Sequence, residues 1–222
     1  MSAPKQILEN HSHLITLLPA LSKQELSQFQ RESGGLVPHE IEELLLYSAG
    51  FDHRLLGTVR FTGHEGFEFA EAFPRSIALL PDDCGNFWVM DINPQSGAWG
   101  SVFYVSHDPP VVVVQAPELD TFLSQIFGIS HSNSKNALNY VRKEAATRIW
   151  KDDPWLISLH DAQNLPDPLV SKFAKQLPEN FRIADLRSRE FGSGFGWGRA
   201  DPKTDIRRNG YDLLFGVRQA LR

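Results

Sequence analysis

The chain has 222 residues, 41% of them hydrophobic, a net charge of −5 and a single cysteine, Cys84. That is enough apolar material to bury a core, no run of it approaches the roughly 20 residues that cross a bilayer, and one cysteine excludes an internal disulfide. Glu9, His11 and His13 interrupt the stretch where a signal peptide would need an unbroken apolar region, so the expectation is a cytoplasmic globular protein with no membrane partner.

In chain order, the first helix is expected in "LSKQELSQFQRESGG", where Ser22 stands three residues before Glu25 in the spacing of a capping box and Gly34 and Gly35 stop the helix. A second helix follows in "VPHEIEELLLYSAGF". Pro38 suits its first turn, Glu40, Glu42 and Glu43 complement its dipole, Ile41, Leu44 and Leu45 form a core stripe, and Gly50 supplies the stop. The pattern then shortens to strands in "LLGTVRF", "GFEFAEAF", "SIALLP", "NFWVMDI", "SVFYVSH" and "PVVVVQA", with "NPQSGAWG" as a hairpin loop. Helical spacing returns in "APELDTFLSQIFGI" through Leu119, Phe122, Leu123 and Ile126. Strands between helices predict an α+β domain whose mainly antiparallel or mixed sheet is flanked by N-terminal and closing helices.

After "SHSNSKN" the sequence changes character: "NALNYVRKEAATRIW" predicts a helix, prolines then alternate with short apolar clusters, and "FRIADLR" predicts a strand. Two units are therefore expected, residues 1–130 and a C-terminal α/β extension or accessory domain, residues 131–222. The first holds 16 acidic against 6 basic residues, a charge of −10; the second holds 11 against 16, a charge of +5. Such parts either attract each other or leave the acidic one facing a basic partner.

Cys84 lies in "DDCGNFWVMDI". A nucleophilic thiol needs a base, whereas no histidine is near in sequence and Asp82 and Asp83 would raise its pKa. A calcium loop needs oxygen ligands at alternate positions, whereas the apolar "FWVM" separates Asp82 and Asp83 from Asp91. The histidines form neither HExxH nor an i, i+4 pair. No catalytic residue, metal or cofactor is expected, and the stretch reads as a turn followed by a strand.

The succession "GGLVPHEIEELLLYSAGF", "FPRSIALLPDDCGNFWVMDI", "SVFYVSHDPP" and "APELDTFLSQIF" resembles the SUKH superfamily, which includes yeast cell-wall regulators of the Smi and Knr type and bacterial toxin-immunity proteins. The resemblance covers about residues 20–128. Pro38, Gly50, Asp83, Gly85, Asn86, Asp91, His107 and Asp108 occupy the family's motif places, and structural roles are expected for them. The chain departs from the pattern at Val37, Ala49 and the "APEL" start of the last helix. The resemblance implies a binding protein, not an enzyme, that occludes a cognate toxin such as a nuclease. Its acidic candidates for meeting a toxin's basic surface are Glu40, Glu42, Glu43, Glu65, Glu68, Glu71, Asp82 and Asp83. The alternative it implies is a regulatory scaffold module.

In "EFGSGFGWGR", glycines alternate with Ser193, Phe195, Trp197 and Arg199, so an extended chain carries all four side chains on one face and leaves the other bare. Phe195, Trp197 and Arg199, with Arg207 and Arg208, make a candidate nucleic-acid surface. The competing readings are a loop packed by its own aromatics and an extension covering a sheet edge of the first part, and a nucleic-acid partner is not expected.

Overall fold

The computed structural model describes residues 3–33, 37–129, 136–188, 190–199 and 206–219. The fold is α+β, and its three sheets are antiparallel throughout the described strands.

The amino-terminal part opens with α1 (Ala3–Asn10), β1 (Ile15–Leu17), α2 (Lys23–Glu32) and α3 (His39–Leu45). The capping box of α2 forms, with the Glu25 N–H donating to Ser22 Oγ at 3.2 Å and the Ser22 N–H to Glu25 Oε2 at 2.8 Å. The glycines expected to stop that helix, Gly34 and Gly35, lie outside the described residues. Pro38 caps α3, but Gly50 does not end it, because the helix stops at Leu45. Gly50 instead opens β2 (Gly50–His53) at φ +151°, where an added Cβ would stand 2.1 Å from the Val59 carbonyl oxygen. Its partner is β3 (Gly57–Arg60), and with β1 they form a small sheet of order β1-β2-β3.

"GFEFAEAF" is not a strand. Residues 61–75 form a looped excursion in which the Phe73 N–H donates to the Phe69 carbonyl at 2.8 Å and the Ala72 N–H to the same oxygen at 3.2 Å. Phe69, Ala72 and Phe73 turn inward at helical spacing, and Glu65, Glu68 and Glu71 stay in solvent.

The central sheet contains β4 (Ser76–Pro81), β5 (Phe87–Ile92), β6 (Trp99–His107) and β7 (Pro110–Ala116). Its fifth strand comes from far along the chain: β10 (Gly194–Gly196) pairs with β7, giving the order β10-β7-β6-β5-β4. Period-two alternation sorts the side chains of this sheet into two cores. Trp88, Met90, Val102, Tyr104, Val111 and Val113 pack under α1, α3, α4 (Leu119–Phe127) and the helix over 137–152, which combines α5 (Ala137–Asn139), a π-helical turn (Tyr140–Ala145) and α6 (Ala146–Asp152).

On the opposite face, Val89, Phe103, Val105, Val112 and Val114 meet Ala184, Phe195, Ile206, Phe215 and Val217 from the carboxyl part. Most of those partners belong to a four-stranded sheet of order β11-β12-β9-β8, built from β8 (Leu156–Ser158), β9 (Phe181–Asp185), β11 (Ile206–Arg208) and β12 (Leu214–Arg218). Its outer face is covered by α7 (Leu159–Gln163) and α8 (Pro168–Ala174) through Leu159, Val170 and Phe173. The layers thus run helices, sheet, sheet, helices, and the core clusters on both faces of the central sheet cross residue 130.

The bare face of the glycine-rich stretch is where β10 docks. A Cβ on Gly194 would lie 2.0 Å from the Val112 carbonyl oxygen and 2.9 Å from Ile149 Cδ1. Gly194→Ala is therefore expected to destabilise the protein by about 3 kcal/mol. Gly210→Ala is expected to lose only about 1 kcal/mol, since Gly210 has open space around it and a φ of +57°. Urea unfolding of the two variants checks the difference.

Candidate functional site

The acidic turn after β4 is built around one carboxylate. Asp82 Oδ1 accepts the Cys84 N–H at 2.9 Å and the Asn86 N–H at 3.0 Å; Oδ2 accepts Asn86 Nδ2 and the Tyr104 hydroxyl, both at 2.9 Å. Burial alone would push the Asp82 carboxyl up, but these donors outweigh it and hold the group below the ordinary aspartate range. The same burial and the same carboxylate push the Tyr104 phenol up. Asp82, expected on a partner-facing surface, is buried and spends its oxygens inside the turn.

The remaining motif residues complete this end of the sheet. Asp83 and Gly85 take positive φ values of 62° and 81°, which closes the turn around the carboxylate. Asn86 Oδ1 reaches across to the His107 N–H at 3.0 Å, at the end of β6, and a Cβ on Gly85 would stand 3.2 Å from His107 Cε1. Asp108 follows in the β6–β7 turn with a cis bond to Pro109. Cys84 is an exposed turn residue.

Asp91 serves a different purpose at the far end of β5. Its two carboxylate oxygens accept Arg208 Nη1 at 2.8 Å and Nη2 at 2.7 Å, and the Arg208 side chain is only 5% exposed. The same guanidinium donates to the carbonyls of Ala72 at 3.0 Å, Tyr211 at 2.9 Å and Asp212 at 2.9 Å. Arg208, named as a candidate for meeting phosphates, is given to a motif aspartate instead.

The acidic candidates separate into two groups. Glu42 accepts from the Gln30 amide and both Glu42 and Glu43 lie near the His39 ring, so these two are engaged along α3 and its neighbour. Glu40 is exposed and, with Glu118, crowds Asp120, whose carboxyl is raised by burial first and by those charges second. Glu65, Glu68, Glu71 and Asp83 are exposed and make no hydrogen bond or ion pair with any described residue. The loop carrying the three glutamates borders a groove of about 520 Å³ between the end of α2 and the start of β4.

Residues 20–125 match the model of the SMI1 / KNR4 family (SUKH-1). The chain carries a SUKH-superfamily domain. None of the curated proteins and none of the solved structures compared with the chain matches it.

Around the SUKH domain, the glycine-rich stretch lies where the sheet-edge reading placed it, and its side chains are not a stacking surface. Phe195 is fully buried, 5.1 Å from the Phe215 ring. Trp197 is half-buried against Phe69 at 4.8 Å. Arg199 pairs with Asp153 at 2.7 Å, lies 4.3 Å over the Trp150 ring and donates to the Trp150 carbonyl. Arg207 is exposed, 5.1 Å over Phe181. Among the described residues no group of three or more His, Cys, Asp or Glu side chains is placed to hold a metal ion, and no helix is long and apolar enough to cross a membrane.

Two outcomes follow from the engaged carboxylates. Because the folded pKa of Asp82 is depressed, its stabilising contribution is complete above the ordinary aspartate value of about 3.9 and is lost as pH falls through the lower folded value. Asp82→Asn should therefore be less stable than the parent at neutral pH, by about 2 kcal/mol, with the gap closing in acid; a pH series of urea melts reads this. Arg208→Met leaves Asp91 buried without its cation and should lose about 3–5 kcal/mol by the same melts.

Proposed function

We propose that the protein is a non-enzymatic protein-binding module of the immunity type, acting in the bacterial cytoplasm by occluding a cognate toxin with a basic working surface. The observation that carries this reading is the set of exposed carboxylates at Glu65, Glu68 and Glu71 on one loop of the SUKH domain, none of which pairs with a described residue. Carboxylates already satisfied inside a protein gain little from a partner, whereas free ones attract a basic surface from a distance and orient it on arrival. Glu40 is a further exposed carboxylate, and exposed Asp83 stands apart from the loop at the other end of β4; a nuclease cleft, which must be basic to hold a phosphodiester chain, is the fitting counterpart.

In this reading residues 131–222 are an accessory layer. Their helix over 137–152 packs on the first face of the central sheet, their strands cover its second face, and Arg208 and Trp197 brace the acidic loop. Occlusion then needs no moving part and no turnover, since the loop is held in place before the partner arrives.

Co-expression with the product of the neighbouring gene should rescue growth and yield a complex whose association slows as salt rises. The triple charge reversal Glu65→Lys, Glu68→Lys and Glu71→Lys should weaken it at least about tenfold, mainly in the association rate, while leaving the melting temperature within a few degrees. A complex indifferent to both salt and charge reversal would remove the electrostatic mechanism, and absence of rescue and of complex would remove the immunity reading.

A further inference from the structure

The groove beside the acidic loop is lined by more than charge. Phe69, Phe73, Ile77 and Ile92 form a buried floor, and half-buried Phe29 and Phe67 stand at its sides. Its volume of about 520 Å³ lies in the size range of clefts that bind ligands. Exposed Glu32 and Glu68 line it, with Glu65 and Glu71 on the same loop. Arg75 also lines it, but that guanidinium is committed, its Nη1 donating to the Ser33 carbonyl at 3.2 Å and the Pro94 carbonyl at 3.4 Å. The carboxyl end of α2 adds the partial negative charge of its last carbonyls.

We propose that this groove anchors one aliphatic or aromatic side chain, flanked by Lys or Arg, from an extended segment of the partner protein. The inference rests on the protein-binding reading above and names where that binding is specified. Glutamates alone would attract any cationic surface, with little discrimination. An apolar side chain that leaves water in the groove adds affinity a merely basic partner does not have, and the carboxylates reject acidic ones. A desolvated anchor surrounded by contacts that keep water out is the usual construction of an energetic centre in an interface.

The floor is held from below by the carboxyl layer. Trp197 packs on Phe69 at 4.8 Å, Phe215 on Phe73 at 6.4 Å, and Arg208 holds the Ala72 carbonyl at 3.0 Å. The anchor site is therefore set in advance, which lowers the ordering cost of binding a flexible segment.

The test is an NMR titration of the full chain at low ionic strength with three blocked peptides: acetyl-Gly-Lys-Leu-Arg-Gly-amide, its Leu-to-Ser analogue, and its analogue with Glu in place of Lys and Arg. The first should shift resonances of Phe67, Glu68, Phe69 and Ile77 and bind about tenfold more tightly than either analogue. Glu68→Lys, at an exposed position without a partner among the described residues, should abolish that preference with the rest of the spectrum unchanged. Phe67→Ser should do the same, provided its spectrum stays folded. Equal binding of the serine analogue, or shifts confined to other surfaces, would overturn the proposal. So would a concentration-dependent dimer that Glu68→Lys dissolves, because a second copy would then occupy the groove. If the peptides fail while the co-expressed partner still binds with salt sensitivity, the anchor is wrong and the binding reading stands; if neither binds, both fall.

Discussion

The bidentate pair between Arg208 and Asp91 is the contact on which the arrangement of the two sheets turns. It joins the end of β5 in the SUKH domain to β11 in the carboxyl layer, two positions 117 residues apart, and the same guanidinium holds the carbonyl of Ala72 in the acidic loop. A buried ion pair gains little net stability over apolar residues of the same shape, because desolvating both charges offsets most of their attraction. What it does supply is selectivity among alternatives. Sliding β11 along β12 by one residue would move Arg208 to the other face of its sheet and break its pair with buried Asp91.

The stability itself comes from the apolar layer between the sheets. Val112 and Val114 of β7 point into it together with Phe195 and Phe215, while Val111 and Val113 of the same strand point to the helices. A sheet filled on both faces offers a partner no face at all. Its edges are shortened: the three-residue β10 adds to β7 on one side, and on the other the His64 N–H donates to the Ala78 carbonyl of β4. In the proposed binding reading, recognition is thereby left to loops and to the groove at the end of α2, beside the exposed Glu65, Glu68 and Glu71.

Local chemistry was legible in the amino-acid sequence and distant pairing was not. The capping box at Ser22 and Glu25, the strands "NFWVMDI" and "PVVVVQA", and the turn around Cys84 each depend on neighbours within a few residues, and each formed as expected. "GFEFAEAF" misled because its phenylalanines at 67 and 69 mimic a strand, whereas the buried set Phe69, Ala72 and Phe73 has helical spacing. "PVVVVQA" carried a signal worth more weight: four consecutive valines are out of place on a half-solvated antiparallel strand and imply cover on both sides. The alternating glycines announced a bare face, but nothing near them in sequence named Val112 and Ile149 as its occupants. Asp82 looked like its neighbour Asp83, and only the fold shows that one aims inward at Tyr104 and the other outward.

The opposite charges of the two parts are also used unevenly. Arg199 pairs with Asp153, and Arg187 with Asp167 and Asp185, all inside the carboxyl part. Arg208 crosses to Asp91, where it is sealed from solvent rather than spread over a surface. Mutual attraction of a −10 and a +5 segment therefore does not consume Glu65, Glu68 and Glu71. Packing, not charge neutralisation, holds the layers together, and this leaves the acidic loop electrostatically unsatisfied while the carboxyl layer fixes its backbone. A surface held in place and left unpaired has little entropy still to lose on binding and retains its attraction for a basic partner.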